Sequence, residues 1–202
     1  MARKTKEEFK RQRKPYIFIV CEGRNKTEKN YFSHFKNRAA PYNLHIEGCE
    51  STDISNITKK AAKIFKENDL DPALGDIVYC VVDLDLDQQK HAKFLNAKEK
   101  YKYIKIIPSN PCFETWLQYY FTQNPKVVNS SQKAKEELAK IFPGYTESMD
   151  IVSVADLGEN QHIMAIQNSE KRNTRYENDL NEVEKNPYTE VAEIVCKLLQ
   201  FK

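Results

Sequence analysis

The run Ile77-Val-Tyr-Cys-Val-Val82, flanked by Asp76 and Asp83, is the most apolar stretch of the chain. Short runs of β-branched and aromatic residues that end at polar residues are typical of strands covered on both faces. The run therefore predicts the central strand of a sheet. Similar apolar runs predict three further strands, at 16–21, 44–46 and 103–107.

Segments with helical periodicity separate these strands. Asp53 or Ser55 can cap a helix that precedes the central strand, and residues 88–100 predict the helix that follows it. Asn110-Pro111 predicts a helix start after the fourth strand, with asparagine as the cap and proline in the first turn. This alternation predicts an α/β fold with a mostly parallel four-stranded sheet and helices on both faces.

The rest of the chain is helical in tendency, with helices predicted at 134–142, at 161–167 and from Pro187 onward. The predicted organisation is a basic N-terminal arm at 1–14, an α/β core at 15–123 and a helical C-terminal extension at 124–202 that packs on the core. The arm is open to two interpretations, a contact to nucleic-acid phosphates or a solvated terminus.

Composition narrows the class of protein. The chain has 202 residues, 40% hydrophobic residues and a net charge of +3, which predicts a single folded domain. It has neither a run near the roughly 20 apolar residues that cross a bilayer nor the apolar core of a signal peptide, so we expect a cytoplasmic protein without a membrane partner. Its five cysteines include no CxxC pair, which argues against a zinc site or a disulfide framework.

Acidic residues follow three of the predicted strands. Glu22 comes after the first strand, Asp83 and Asp85 come after the third, and Glu114 lies shortly after the fourth. Ligands of open parallel sheets bind at the carboxyl ends of the strands, where these acids are expected to meet. Alternate residues of an extended segment point the same way, so Asp83 and Asp85 are predicted to present their carboxylates together.

Carboxylates converging in one crevice are the oxygen ligands that Mg²⁺ prefers, and a divalent cation relieves their mutual repulsion. A plain acidic turn is the alternative, because aspartate is common in turns. An EF-hand is excluded by Gln88 and Phe94, which occupy the loop positions that require glycine and glutamate.

Several motifs of the sequence together resemble those of a known family. The resemblance to the RloB-like family covers nearly the whole chain and is carried by Cys21-Glu22-Gly23, Lys26-Thr27-Glu28, Tyr31-Phe32, Asp83-Leu84-Asp85, Ser109-Asn-Pro-Cys-Phe-Glu-Thr-Trp-Leu117 and Asn186-Pro-Tyr-Thr189. It implies a Toprim-like, Rossmann-like fold, shared with topoisomerases, primases and OLD-type nucleases. It also implies a Toprim glutamate at Glu22, the Asp-x-Asp pair at Asp83 and Asp85, and an additional acid at Glu114.

The resemblance further implies a function. It suggests a nuclease that hydrolyses phosphodiester bonds of DNA or RNA with Mg²⁺, or with Mn²⁺, through Glu22, Asp83, Asp85 and Glu114 as catalytic and metal-binding residues. It also implies a role in phage defence and a partner protein from a defence or restriction operon. The alternative is a non-catalytic Toprim-like module that binds nucleic acid or a nucleotide and acts through a partner.

Four further residues are weaker site candidates. Lys26, near a helix start, could hold a substrate phosphate, or it is simply an exposed lysine. His91 follows the acidic run, although a helical histidine is more often a surface or packing residue. Asp87 and Asn110 complete the second tier because they lie beside the predicted acids.

Overall fold

The computed structural model describes residues 13–22, 27–176 and 181–199. Five strands form one sheet in the order β2-β1-β3-β4-β5. The first four strands are parallel, and β5 pairs antiparallel with β4. Their bounds are Tyr16–Glu22 for β1, Asn43–Cys49 for β2, Ile77–Asp83 for β3, Lys105–Asn110 for β4 and Tyr188–Thr189 for β5. The predicted α/β, Rossmann-like architecture is confirmed, and the sheet has one more strand than expected.

Helices cover both faces of the sheet. Their bounds are Thr27–Ser33 for α1, Ile54–Glu67 for α2, Gln88–Lys100 for α3, Glu114–Gln118 for α4, Ser131–Ile141 for α5, Ile151–Val154 for α6, Glu159–Asn173 for α7 and Val191–Leu199 for α8. Asp53 caps α2 by accepting a hydrogen bond from the Ser55 N–H at 2.9 Å. Among the described helices, none combines the length and the apolar character that a bilayer crossing requires.

Side-chain alternation along the strands divides the core into two clusters. On β1, Ile17 and Ile19 face the cluster that contains α1, α4 and α8, whereas Phe18 and Val20 face α2 and α3. The larger cluster is centred on the fully buried Trp116 and on neighbouring aromatic rings. The central strand β3 contributes buried residues to both clusters, as the apolar run predicts.

Two predicted helix starts are wrong. Asn110 is the last residue of β4 and pairs with Tyr188, so α4 begins only at Glu114. The final helix begins at Val191 instead of Pro187, because residues 188–189 form β5. In both cases a proline that fits a helix start stands beside a residue whose backbone is needed for the β4–β5 pair.

Asp76 anchors the chain just before β3. Its side chain is buried and accepts both guanidinium N–H groups of Arg13, at 2.8 and 2.5 Å, and the backbone N–H groups of Tyr16 and Asp71, at 2.8 and 2.9 Å. The hydrogen bond from Arg13 is the main reason that the pKa of Asp76 falls to about 2 from the ordinary 3.8. This carboxylate therefore ties the entry of β1 to the entry of β3.

We predict that Asp76→Ala lowers the free energy of unfolding by about 3 kcal/mol at pH 7, because it leaves four donors without their acceptor. The ionised form of Asp76 stabilises the fold above its unfolded pKa, and this contribution is lost as the pH falls through 2. Urea denaturation should therefore show the difference from wild type shrinking between pH 5 and pH 2. Glu99→Ala, at an exposed surface pair with Lys102, is the control and should change stability by less than about 1 kcal/mol.

Candidate active site

The strand order places the ends of β1 and β3 side by side at the point where the order reverses. Chain connections leave β1 and β3 in opposite directions there, and such switch points open the ligand crevice of doubly wound sheets. Glu22 is the last residue of β1, and Asp83 is the last residue of β3. Two of the four predicted acids thus lie at the expected edge on neighbouring strands.

The segment after β3 is a turn and not an extended chain. Asp85 and Leu86 have φ values of 52° and 57°, in the left-handed region. Strand alternation therefore does not apply to Asp85, although, in addition to burial, its negative charge still raises the pKa of Asp83 and of Glu22 across the same crevice. Backbone hydrogen bonds hold the turn to the end of β4, from Leu84 N–H to the Ser109 carbonyl and from Asp85 N–H to the Pro111 carbonyl, both at 2.9 Å.

Asp85 is the most heavily contacted of the predicted acids. Its side chain, 37% exposed, forms an ion pair with the Lys90 ammonium group and accepts a hydrogen bond from the Ser131 hydroxyl. Lys90 lies in the first turn of α3, and Ser131 is the first residue of α5. The helical segment beyond residue 124 therefore reaches into the same crevice as the strand-end acids.

Glu114 and Glu28 form the buried side of the crevice. Glu114 begins α4, is 3% exposed and accepts a hydrogen bond from the Tyr145 hydroxyl at 3.0 Å. Glu28 lies in the first turn of α1, is 4% exposed and was not among the predicted site residues. Its neighbour Thr27 donates a hydrogen bond to the Glu147 carbonyl, which fixes the start of α1 against the segment after α5.

Three carboxylate oxygens of the crevice are buried without a hydrogen-bond partner among the described residues. They are Oε1 of Glu22, Oε2 of Glu28 and Oδ1 of Asp83. A buried charge without a partner is costly, so such groups are usually paired, protonated or bound to a metal. Three such oxygens therefore lie around the carboxyl ends of β1 and β3, so these acids are either protonated or in need of a positively charged partner.

Burial and mutual repulsion raise the pKa values of these acids. Burial is the main cause that raises the pKa of Glu22 from 4.5 to about 7, and the negative charges of Asp85 and Glu114 act in the same direction. Burial likewise raises the pKa of Glu28 to about 8. The pKa of Asp83 lies well above its usual range because of burial, and Glu28 is the strongest of the charges that add to this effect.

Two lysines oppose this negative charge. Lys90 and Lys135 both lower the pKa of Glu22, and Lys135 also lowers that of Glu28. Lys135 lies one helical turn after Ser131 on the same face of α5, and its ammonium group is 2.9 Å from Glu147 Oε1. The crevice is therefore lined by carboxylates in its floor and has one cation on α3 and another on α5.

The second-tier candidates have partners inside the protein. Asp87 caps α3 by accepting the N–H groups of Gln89 and Lys90, at 2.7 and 3.0 Å. The ring of His91 hydrogen-bonds the Glu182 carboxylate at 2.8 Å. Lys26 lies outside the described residues, between the end of β1 and the start of α1.

Asn110 holds the turn after β3 in place. Its Oδ1 accepts the Leu86 N–H at 3.0 Å, and the two N–H donors of its Nδ2 are surrounded by three carbonyl oxygens, those of Glu182, Val183 and Lys185, at 2.9 to 3.0 Å. The side chain is fully buried, and both its oxygen and its nitrogen form hydrogen bonds. It therefore positions the loop that carries Asp85.

The donor set fits a hard cation in kind. Among residues 13–22, 27–176 and 181–199, no group of three or more His, Cys, Asp or Glu side chains is already arranged around one metal position. Mg²⁺ does not need three protein ligands, since it usually binds through one or two carboxylates and completes its octahedral coordination with waters and substrate phosphate. The orphaned oxygens of Glu22, Glu28 and Asp83 are ligands of that type.

Reasoning from sequence missed five side chains of the crevice. Glu28 and Lys90 could have been predicted from the sequence, because each lies in the first turn of a helix that follows a strand ending in an acid. The other three could not, since they reach the site only through tertiary contacts: Ser131, Lys135 and Tyr145.

Comparison with known proteins identifies a family. A family model described as "RloB-like protein" matches residues 17–198, which is nearly the whole chain. The search of curated proteins finds no match. The matched range contains all four predicted acids and the helices that carry Lys90 and Lys135.

The raised pKa of Asp83 predicts a stability change. Between the ordinary pKa of 3.8 and the higher folded value, the folded state keeps a proton that the unfolded state loses, so stability falls as the pH rises through this window. Asp83→Asn removes the charge at every pH. In EDTA at pH 8 it should raise the free energy of unfolding above that of the wild type, because the wild-type carboxyl has to stay protonated or carry an unfavourable charge at that pH.

Urea denaturation at pH 5 and pH 8 measures this effect, and the variant should gain less at pH 5. Glu67→Gln, at an exposed carboxylate of α2, is the matched control and should leave the pH dependence of stability unchanged. An Asp83→Asn protein that is less stable than wild type at pH 8 would show that the carboxylate is not under electrostatic stress.

Proposed function

The chain belongs to the RloB-like protein family, and from this premise we propose that it is a Mg²⁺-dependent nuclease with a Toprim-like active site. The observation that carries the proposal is the set of three buried, unpartnered carboxylate oxygens at the carboxyl edge of the sheet. We propose nucleic-acid phosphodiester hydrolysis as its reaction and phage defence, with a partner from the same operon, as its setting.

Four acids are the proposed ligands of the metal ion. Asp83, at the end of β3, and Glu22, at the end of β1, are the proposed first ligands, and Glu28 and Glu114 approach from the start of α1 and α4. When bound there, Mg²⁺ or Mn²⁺ polarises a phosphate oxygen and stabilises developing negative charge. Tyr145 orients Glu114 through its hydroxyl hydrogen bond.

Proton transfer and phosphate binding are assigned to a carboxyl group and to two lysines of the crevice. Burial raises the pKa of Glu22 to about 7 when no cation is bound. A coordinated cation lowers this pKa, so in the metal-bound site Glu22 is an ionised carboxylate that can accept a proton as a general base. Lys90 pairs with Asp85 and Lys135 pairs with Glu147, and each ammonium group has three N–H donors, so each can also contact a phosphate oxygen. Together they offset the repulsion between five carboxylates and an anionic substrate.

A second candidate function is favoured by one observation. The Lys90 ammonium group already pairs with Asp85, which supplies a resident cation to the site. A module that binds nucleic acid or a nucleotide without cleaving it would need no more than this. The two candidates differ in whether the acids are required for turnover or only for binding.

Cleavage assays separate these candidates. Purified protein is incubated with plasmid, single-stranded DNA and total RNA in the presence of Mg²⁺, Mn²⁺ or EDTA. We predict metal-dependent cleavage, and a decrease of at least about 100-fold in rate for Glu22→Gln and for Asp83→Asn, which is the usual scale for loss of a general acid–base or metal-binding group.

The control for cleavage is Glu50→Gln, an exposed acid that follows β2 at the same edge of the sheet. It should keep the wild-type rate. Binding of nucleic acid without cleavage in every metal would favour the non-catalytic module, and equal cleavage by wild type and Asp83→Asn would rule out the proposed acids.

Metal binding can also be followed without any substrate. A ligand at 100 times its dissociation constant adds about 2.7 kcal/mol to the stability of the folded state. We predict that saturating Mn²⁺ raises the melting temperature of the wild-type protein and has no effect on Asp83→Asn. Identical melting curves with Mn²⁺ and with EDTA for the wild type would indicate a site that has lost its metal.

A further inference from the structure

The helices α2 and α3 carry an unusual concentration of positive charge. Together they contain eight lysines and two glutamates, a net charge of +6. The whole chain has a net charge of only +3, so everything outside these two helices sums to −3. Positive charge is thus collected on one face of the sheet, the face that α2 and α3 cover.

A groove runs along the outside of this pair of helices. Its upper part, of about 250 Å³, lies between α2 and α3 and is lined by Lys59, Lys93, Lys100 and by the polar side chains of Ser55 and Asn96. Its lower part has a volume of about 350 Å³ and is lined by Lys63, Lys66, Glu67, Tyr101 and Tyr103. Lys59 and Tyr101 line both parts, so the two parts are continuous.

Several of these lysines are not neutralised within the protein. Lys63 pairs with Glu67 at 3.4 Å, and Lys93 pairs with Asp53 at 2.5 Å. In the described part of the chain, no carboxylate lies within ion-pair distance of the other three groove cations, Lys59, Lys66 and Lys100. All three side chains are exposed. The groove therefore offers three exposed cations to an anionic partner.

The groove begins beside the acidic crevice. Both helices start at the carboxyl edge of the sheet, and Lys90 in the first turn of α3 contacts Asp85. Lys90 and Lys100 are ten residues apart, which corresponds to about 15 Å along a helix. At a rise of 3.4 Å per nucleotide this distance spans roughly four phosphates of one strand of a duplex. The lysines thus follow a path of nucleic-acid dimensions away from the site.

We propose that this groove, defined by Lys59, Lys66, Lys93, Lys100 and Tyr101, binds the sugar–phosphate backbone of a nucleic acid next to the point where it enters the acidic crevice. The proposal rests on the proposed function, because it assigns the surface that holds the same substrate. The lysines contact phosphates, and the hydroxyl and amide groups of Ser55 and Asn96 add hydrogen bonds to the backbone. A surface of this kind positions the substrate without reading its sequence.

Salt dependence of binding tests the groove directly. Full-length protein with Asp83→Asn, which is not expected to cleave, is titrated into fluorescently labelled duplex DNA, single-stranded DNA and RNA in EDTA over a range of KCl concentrations. The groove variant adds Lys59→Ala, Lys66→Ala and Lys100→Ala. The slope of log K against log salt is negative, and each lost phosphate contact reduces its magnitude by about 0.9 for duplex DNA and 0.7 for single strands. The groove variant should therefore have a slope smaller in magnitude by about 2 to 3.

The matched control removes the same charge elsewhere. Lys126, Lys133 and Lys140 are each paired with Glu136 or Glu137, and their combined change to alanine should leave the slope at the value of the parent protein. Circular dichroism and melting curves confirm that both triple variants are folded.

The outcomes separate the groove from the nuclease. Equal slopes for the groove and control variants, or a parent protein that binds none of the three nucleic acids at low salt, would overturn the groove. A slope of smaller magnitude for the groove variant, combined with no cleavage by the wild type under any condition, would support nucleic-acid binding in the groove and refute the nuclease. Cleavage that depends on Glu22 and Asp83, together with an unchanged slope for the groove variant, would support the nuclease and refute nucleic-acid binding in the groove.

Discussion

Repulsion among buried carboxylates is the constraint on which the site depends. Glu22, Glu28 and Asp83 each keep an oxygen buried without a partner, and burial raises the pKa of all three. A fold selected for stability alone would replace such groups with neutral ones, because unpaired buried charge is costly. Their placement at the switch point of the sheet, with Lys90 and Lys135 as partial compensation, is best explained by a ligand that carries positive charge.

Much of the fold could be predicted because it depends on local patterns. The apolar run at 77–82 became the central strand β3, and the alternation of strands and helices gave the order of the parallel sheet. The β4–β5 pair could not be predicted. Strand β5 has only two residues, Tyr188 and Thr189, and its pairing with Asn110 and Ser109 spans about eighty residues of sequence. No periodicity develops over so short a strand, so the adjacent prolines suggested helix starts.

The residues of the site likewise fall into those that local patterns predict and those that depend on long-range contacts. Glu22, Asp83 and Glu114 could be placed at the carboxyl edge because topology alone puts strand ends there. The orientation of Asp85 could not, because the turn with positive φ is held by Asn110 and by β4 carbonyls from elsewhere in the chain. The contributions of Ser131, Lys135 and Tyr145 likewise depend on how the segment after residue 124 packs against the sheet, a contact that no local signal encodes.

The proposed reaction requires that the acids at the ends of β1 and β3 share a divalent cation. A crystal soaked in Mn²⁺, with anomalous diffraction recorded at the manganese edge, locates the ion without any reference to activity. We predict one or two peaks in the crevice, contacted by Asp83 Oδ1 and by at least one of the Glu22, Glu28 or Glu114 carboxylates. Saturating Mn²⁺ that leaves this crevice without a peak, or that binds only at a distant surface, would contradict it.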